Sequence, residues 1–173
     1  VYRCFCKVHA YFHADMVHRM GQMPKIFPTK DIENRAIMIK QRWSGDGQIS
    51  MMVDCVGDLQ TDGGWQFFPH YLYEKDKQRP GELLREESEG ELIDGYRRRH
   101  AITDGILKEF RKTYGKDVSK DDIFYYVYCI LHSPEYRTRF ASNLKKMLPR
   151  IPLTQQTADY KKFTKAGRDL AQC

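Results

Sequence analysis

Ile123-Phe-Tyr-Tyr-Val-Tyr-Cys-Ile-Leu-His-Ser-Pro-Glu-Tyr-Arg137, followed by Lys145-Lys-Met-Leu-Pro-Arg-Ile-Pro152, decides how this chain is read. On a helical wheel Ile123, Phe124, Tyr126, Val127, Ile130 and Leu131 cover a wide arc, and Tyr125, Tyr128 and His132 fill much of the rest. A helix apolar on nearly every side belongs at the centre of a core. Ser119 with Asp122 three positions later has capping-box spacing, so this helix is predicted over residues 121–132. Pro134 suits the start of a further helix, with Glu135 favourable in its first turn. That helix is expected to turn Tyr136, Phe140, Leu144 and Met147 inward and Arg139, Ser142, Asn143 and Lys146 outward. Arg137 falls near the inner stripe, where a structural ion pair suits it. Pro149 and Pro152 end the helix and stiffen Arg150 between them.

Outward from this block the period stays helical as far as Thr103. Thr103 can cap a helix with the stripe Ile106, Leu107, Phe110 and Tyr114, closed by Gly115. A last helix over 159–171 would bury Tyr160, Phe163 and Leu170 and expose Lys161, Lys162, Lys165 and Arg168. The first half reads as β. Short aromatic pieces at 2–5 and 11–12 precede strand-like runs at 36–40, 49–56 and 66–73. Ser44-Gly-Asp-Gly47 and Asp62-Gly-Gly64 supply the positive-φ residues of hairpin connections. Pro69 demotes the third run to an edge or bulged strand. Residues 74–100 are polar and lack periodicity, which predicts an exposed connection. The fold class is therefore α+β: a β-rich part at 1–80, a polar connector at 81–100, and a bundle of about four helices at 101–173.

Charge is distributed unevenly. The 173 residues carry net +6, yet residues 136–168 hold nine Lys or Arg against the single acid Asp159. A solvated surface usually mixes signs, so this bias suggests an anionic partner. No apolar run approaches the ~20 residues of a membrane span. Five cysteines at irregular spacing fit reduced thiols and a cytoplasmic setting rather than a disulfide scaffold. The chain opens on Val1 within a strand-like run, as expected of a piece of a longer protein.

Constellations for chemistry are poor. Cys4-x-Cys6-x2-His9-x3-His13, with His18 nearby, lacks the usual zinc spacing, and a metal-dependent enzyme would rest on that cluster alone. Cys129 and His132 share a helix face without any oxyanion element, which favours core packing over catalysis. The carboxylates Asp31, Glu33 and those between 82 and 94 match no nuclease pattern. The turn glycines lack the strand-to-helix context of a phosphate loop. No catalytic residue, metal ligand or cofactor is assigned. Three cationic features remain: a helical stripe of Arg139, Asn143 and Lys146 continuing to Lys145 and Arg150; the run Arg97, Arg98, Arg99 on an expected loop; and Lys40 with Arg42 beside Trp43 at a strand end. Lys and Arg hold phosphates, while Trp43 suits stacking or packing.

At this point the residues resemble a family. Asp122-Ile-Phe-Tyr-Tyr-Val-Tyr128, Ile130-Leu-His-Ser-Pro-Glu-Tyr-Arg137 and Leu144-Lys-Lys-Met-Leu-Pro-Arg-Ile-Pro-Leu153 are similar to the C-terminal region of type ISP restriction-modification enzymes. Arg99-His-Ala-Ile-Thr-Asp104, Phe68-Pro-His-Tyr-Leu-Tyr73 and Tyr2-Arg3-x-Phe5 resemble the same region in the same order. Cys4, His70 and Cys129 depart from its usual pattern of a proline, an apolar and a small residue. The resemblance implies a target-recognition domain for double-stranded DNA. It would follow an adenine-N6 methyltransferase, a helicase-like motor and a nuclease, which use S-adenosylmethionine, ATP and Mg2+. Their signatures are absent here, so the fragment itself is expected to be non-catalytic. The competing expectation is a docking module for the methyltransferase or motor.

Overall fold

The computed structural model describes residue 15 and residues 20–43, 45, 47, 49–57, 64–76 and 90–172. The expected strands at 2–5 and 11–12 and the Cys4–His18 cluster lie outside them. Among the described residues there are two three-stranded antiparallel sheets, with the helices after residue 100 packed beside them. The α+β reading holds.

Sheet A has the order β2-β1-β3, from Ala36–Lys40 (β1), Ser50–Val53 (β2) and Trp65–Pro69 (β3). The central strand β1 is buried along its whole length, and its alternation sorts side chains between two environments. Ile37 and Ile39 join Ile49 and Trp43 in the main core with the helices. On the other face Met38 packs with Met51 and Trp65, and Ala36 packs with Met23 and Ile26 of the short helix α1 (Met23–Ile26). Pro69 indeed sits on an edge strand, where its missing N–H costs no ladder bond.

The run 66–73 is not one strand. It divides at His70 into β3 and β4 (Tyr71–Lys75), which belong to different sheets. The His70 N–H donates to Arg35 O at 2.8 Å, and its carbonyl accepts from Ala101 N at 3.0 Å. Asn34 secures the same junction. Its Nδ2 donates to the carbonyls of Ile26 and Tyr71, both at 2.8 Å, and its Oδ1 accepts from Arg35 N and Tyr71 N.

The expected connector is also corrected. Within it Glu91–Ile93 (β5) and Tyr96–His100 (β6) form a hairpin and complete sheet B, order β4-β6-β5. Its turn residues Asp94 and Gly95 have φ of 47° and 79°, the left-handed pair that a type I′ hairpin turn requires.

Helix α2 (Asp104–Tyr114) buries Phe110 and Tyr114 but leaves Ile106 exposed, and Thr103 makes no side-chain cap. Helix α3 (Lys120–His132) starts with the expected capping box: Ser119 Oγ accepts from Asp122 N, and Asp122 Oδ2 accepts from Ser119 N. The helix predicted after Pro134 is interrupted. It forms α4 (Pro134–Arg139) and α5 (Ala141–Leu144), separated at Phe140, where Thr138, Ser142 and Asn143 are weak helix formers. The break moves Met147 off the inner face and leaves it exposed. Arg137 donates to the His132 carbonyl at 3.3 Å, and the expected ion pair is not formed with any carboxylate among the described residues.

Helix α6 (Thr157–Leu170) lies against α3 through the stripe Tyr160, Thr164 and Gly167. Leu170 falls one position off that stripe and is exposed. Gly167 is the point of closest approach: a Cβ there would collide with the Tyr125 carbonyl. Because that obstacle is backbone, the helices must separate to admit any side chain. Gly167→Ala is expected to destabilise the fold by about 1–3 kcal/mol, read as a lower urea midpoint. Arg168, one position on, donates to Asp122 Oδ1 at 2.8 Å. Burial works to raise the Asp122 pKa, but hydrogen bonds from Arg168 and Ser119 outweigh it and hold the carboxyl below its ordinary value. A depressed carboxyl stabilises the fold above its unfolded pKa and loses that contribution as pH falls through the folded one. Urea midpoints are therefore expected to drop below about pH 4, and Asp122→Asn is expected to flatten that decline.

Candidate nucleic-acid interface

One group of exposed cations lies at the corner made by α4, α5 and the turn after β1, and Lys161, Lys162 and Lys165 are exposed on α6. Lys145 caps α5 at its C-terminus, where a cation also complements the helix dipole. The Trp43 N–H donates to Leu144 O at 3.1 Å, which brings the end of β1 against this corner. Gly45 lies next to the Lys145 stem, its Cβ position 3.8 Å from Lys145 Cε. Arg42 is thereby carried to the Lys145 end of α5 from a distant part of the sequence. Trp43 itself is buried in the main core, its Nε1 donating to Gly47 O at 3.3 Å. It packs, and is not available to stack on a base.

Arg139, Asn143, Lys145, Lys146 and Arg150 are all exposed. Arg150 is held by its backbone: the Tyr136 hydroxyl donates to its carbonyl at 2.9 Å. Tyr126 donates to Pro152 O at 2.6 Å and Tyr114 to Thr154 O at 2.9 Å. Alternate carbonyls of this extended exit thus meet three tyrosines from three helices. Asn143 and Arg150 also share the wall of a cleft of about 410 Å³ with Phe140 and Met147. Among the described residues none of Arg42, Arg139, Lys145, Lys146 and Arg150 pairs with a carboxylate.

The arginine run on the expected loop lies instead in strand β6, and every member is paired. Arg97 faces Asp76 at 3.4 Å, Arg98 pairs with Glu91, and Arg99 pairs with Glu74 at 2.9 Å. Arg98 further covers the Tyr71 ring, 4.5 Å from its centroid. Lys40 is buried, with its amine 5.6 Å from the Trp65 ring centroid. The ten cationic and polar candidates therefore separate into an open corner, a locally neutralised hairpin and one core lysine.

Cys129 sits within the core, and burial pushes its thiol up, opposite to what a nucleophile requires. A second polar cluster has no counterpart in any sequence motif. His70 Nε2 lies 2.7 Å from Asp121 Oδ1, and His100 Nδ1 lies 3.7 Å from the same oxygen. Burial lowers the pKa of both imidazoles against the opposing pull of Asp121. The donors come from the β3–β4 junction, the end of β6 and the first turn of α3, so only the fold brings them together.

The description "Type ISP C-terminal specificity domain" belongs to a family whose model matches residues 1–173. Comparison with curated protein sequences returns no match. Among solved structures the chain is similar to the ATP-dependent Type ISP restriction-modification enzyme LlaBIII bound to DNA, with a TM-score of 0.75 and 28% identity, covering 95% of this chain and 10% of that one. It is similar to the DrdV–DNA complex solved by cryo-electron microscopy, with a TM-score of 0.71 and 30% identity, covering 92% of this chain and 14% of that one. A nuclease-deletion mutant of the Type ISP enzyme LlaGI, in complex with a DNA substrate mimic, gives 0.64 and 28%, covering 94% and 12%. The chain thus spans only a small part of each of these proteins. With its whole length matched and its two-sheet, helix-backed architecture shared, the chain belongs to the family of Type ISP C-terminal specificity domains.

Proposed function

We propose that this chain recognises double-stranded DNA as the specificity module of a longer restriction-modification polypeptide and is not itself catalytic. The observation that carries this reading is the open corner of Arg42, Arg139, Lys145, Lys146 and Arg150, exposed and without carboxylate partners among the described residues. A phosphate backbone rewards such a surface through direct attraction and counterion release. Family membership supports the reading, and so does the DNA in the related structures. Asn143 adds a neutral donor within the same stripe. The paired arginines of β6 play a different part: neutralised within and beside sheet B, they help fix its register and contribute little to the DNA grip. Bases are read from the β part and its turns, and the corner sets position on the duplex.

In the parent polypeptide the methyltransferase and motor segments are the further partners, using S-adenosylmethionine, ATP and Mg2+, and the protein works in the cytoplasm. Among the described residues no helix is long and apolar enough to cross a membrane.

Five phosphate contacts give a log–log salt slope of about −4.5, so affinity is expected to fall roughly 500-fold between about 50 and 200 mM salt. Lys146→Ala should weaken binding to all duplexes alike and reduce that slope by about 0.9, whereas Arg99→Ala should leave the slope unchanged. Fluorescence anisotropy with short duplexes measures both. If Lys145→Glu combined with Lys146→Glu leaves DNA affinity intact, the corner is a docking face for the rest of the polypeptide instead.

A further inference from the structure

We propose that His70, His100 and Asp121 form a site for a borderline divalent transition metal, Zn2+ above all, that fastens sheet B to helix α3. Their donor atoms all lie within 4.8 Å of one another. Donors around a tetrahedral Zn2+ at about 2.0–2.2 Å stand roughly 3.3–3.6 Å apart. The observed 2.7 and 3.7 Å spacings from Asp121 Oδ1 are within small side-chain adjustments of that arrangement. The metal would replace the His70–Asp121 hydrogen bond and leave a fourth position for water.

Two features distinguish this cluster from a chance meeting of polar groups. First, His100 Nδ1 is buried and has no hydrogen-bond partner, a cost that coordination would remove. Second, His70 is already oriented. Its ring stacks on Phe124 at 4.4 Å and 17°, and its backbone is bonded into both sheets through Arg35 and Ala101. Two imidazoles and one carboxylate select Zn2+, Co2+ or Ni2+ over Mg2+ or Ca2+, which prefer all-oxygen shells. The neighbouring cations Arg98, Lys120 and Arg168 oppose an added positive charge. Affinity should accordingly be weaker than in a closed four-ligand zinc site.

The test uses the untagged chain, stripped with chelator and titrated with Co2+ as a spectroscopic probe and with Zn2+ by calorimetry. One equivalent should bind, with visible d–d absorption from a low-symmetry nitrogen–oxygen field, and Tm should rise with Zn2+ concentration. His100→Gln, at the more exposed ligand, should keep the fold by circular dichroism. It should lower affinity at least about a hundredfold, the loss that removing even a supporting partner can cause. His70→Gln is the second variant. Absence of binding by the parent chain overturns the proposal. So does binding unaffected by either folded variant, which would place the metal on other residues such as the Cys4–Cys6–His9–His13 set.

Discussion

Helix α3 can occupy the middle of this domain because the hydroxyls of its tyrosines find partners. Tyr126 is fully buried, yet its hydroxyl reaches Pro152 O, and the Tyr128 hydroxyl oxygen accepts from Met52 N–H at 3.2 Å. An unpaired buried hydroxyl would cost about as much as a lost hydrogen bond, on the order of 1–3 kcal/mol. Together with Tyr114 and Tyr136, these rings tie α3 and its neighbours to β2 on one side and to the Pro-Arg-Ile-Pro exit on the other. The rigidity of Arg150 thus owes as much to tyrosine hydroxyls as to the flanking prolines. Burial of Tyr126 also pushes its phenol far above its ordinary value, so this donor keeps its proton throughout the usual pH range.

Charge alone does not identify an interface here. The three consecutive arginines of β6 are the densest positive run in the sequence, but their strand register sets each beside a carboxylate from the same sheet or its adjoining turn. Exposed pairs of this kind contribute little to stability, though three along one hairpin help fix its register. Lys145 and Lys146, an unremarkable pair in sequence, are exposed where α5 ends and pair with no carboxylate among the described residues. The difference lies in which neighbours the fold supplies.

Much of the helical half was legible. The Ser119–Asp122 box and the apolar breadth of 121–132 are local signals, and local hydrogen bonds decide them. The break at Phe140 was harder to see, because the hydrophobic stripe continues in phase while Thr138, Ser142 and Asn143 weaken the helix beneath it. In the β half, Asp94-Gly95 was a readable hairpin signal that polar flanks obscured: Glu91 and the three arginines of β6 show no apolar alternation. The corner formed by Arg42 and Lys145, and the approach of His70, His100 and Asp121, depend on long-range packing. No spacing rule expresses either of them.

The single residue between β3 and β4 has one further consequence. His70 uses its N–H in one sheet and its C=O in the other, so the passage contains no slack. Lengthening the chain there by one residue would reverse the inward and outward sides of one whole sheet. Insertions are expected to be tolerated instead in the connections from β1 to β2 and from β2 to β3. The junction is thus a fixed axle between the two sheets, and a change of length is accommodated only at the rim.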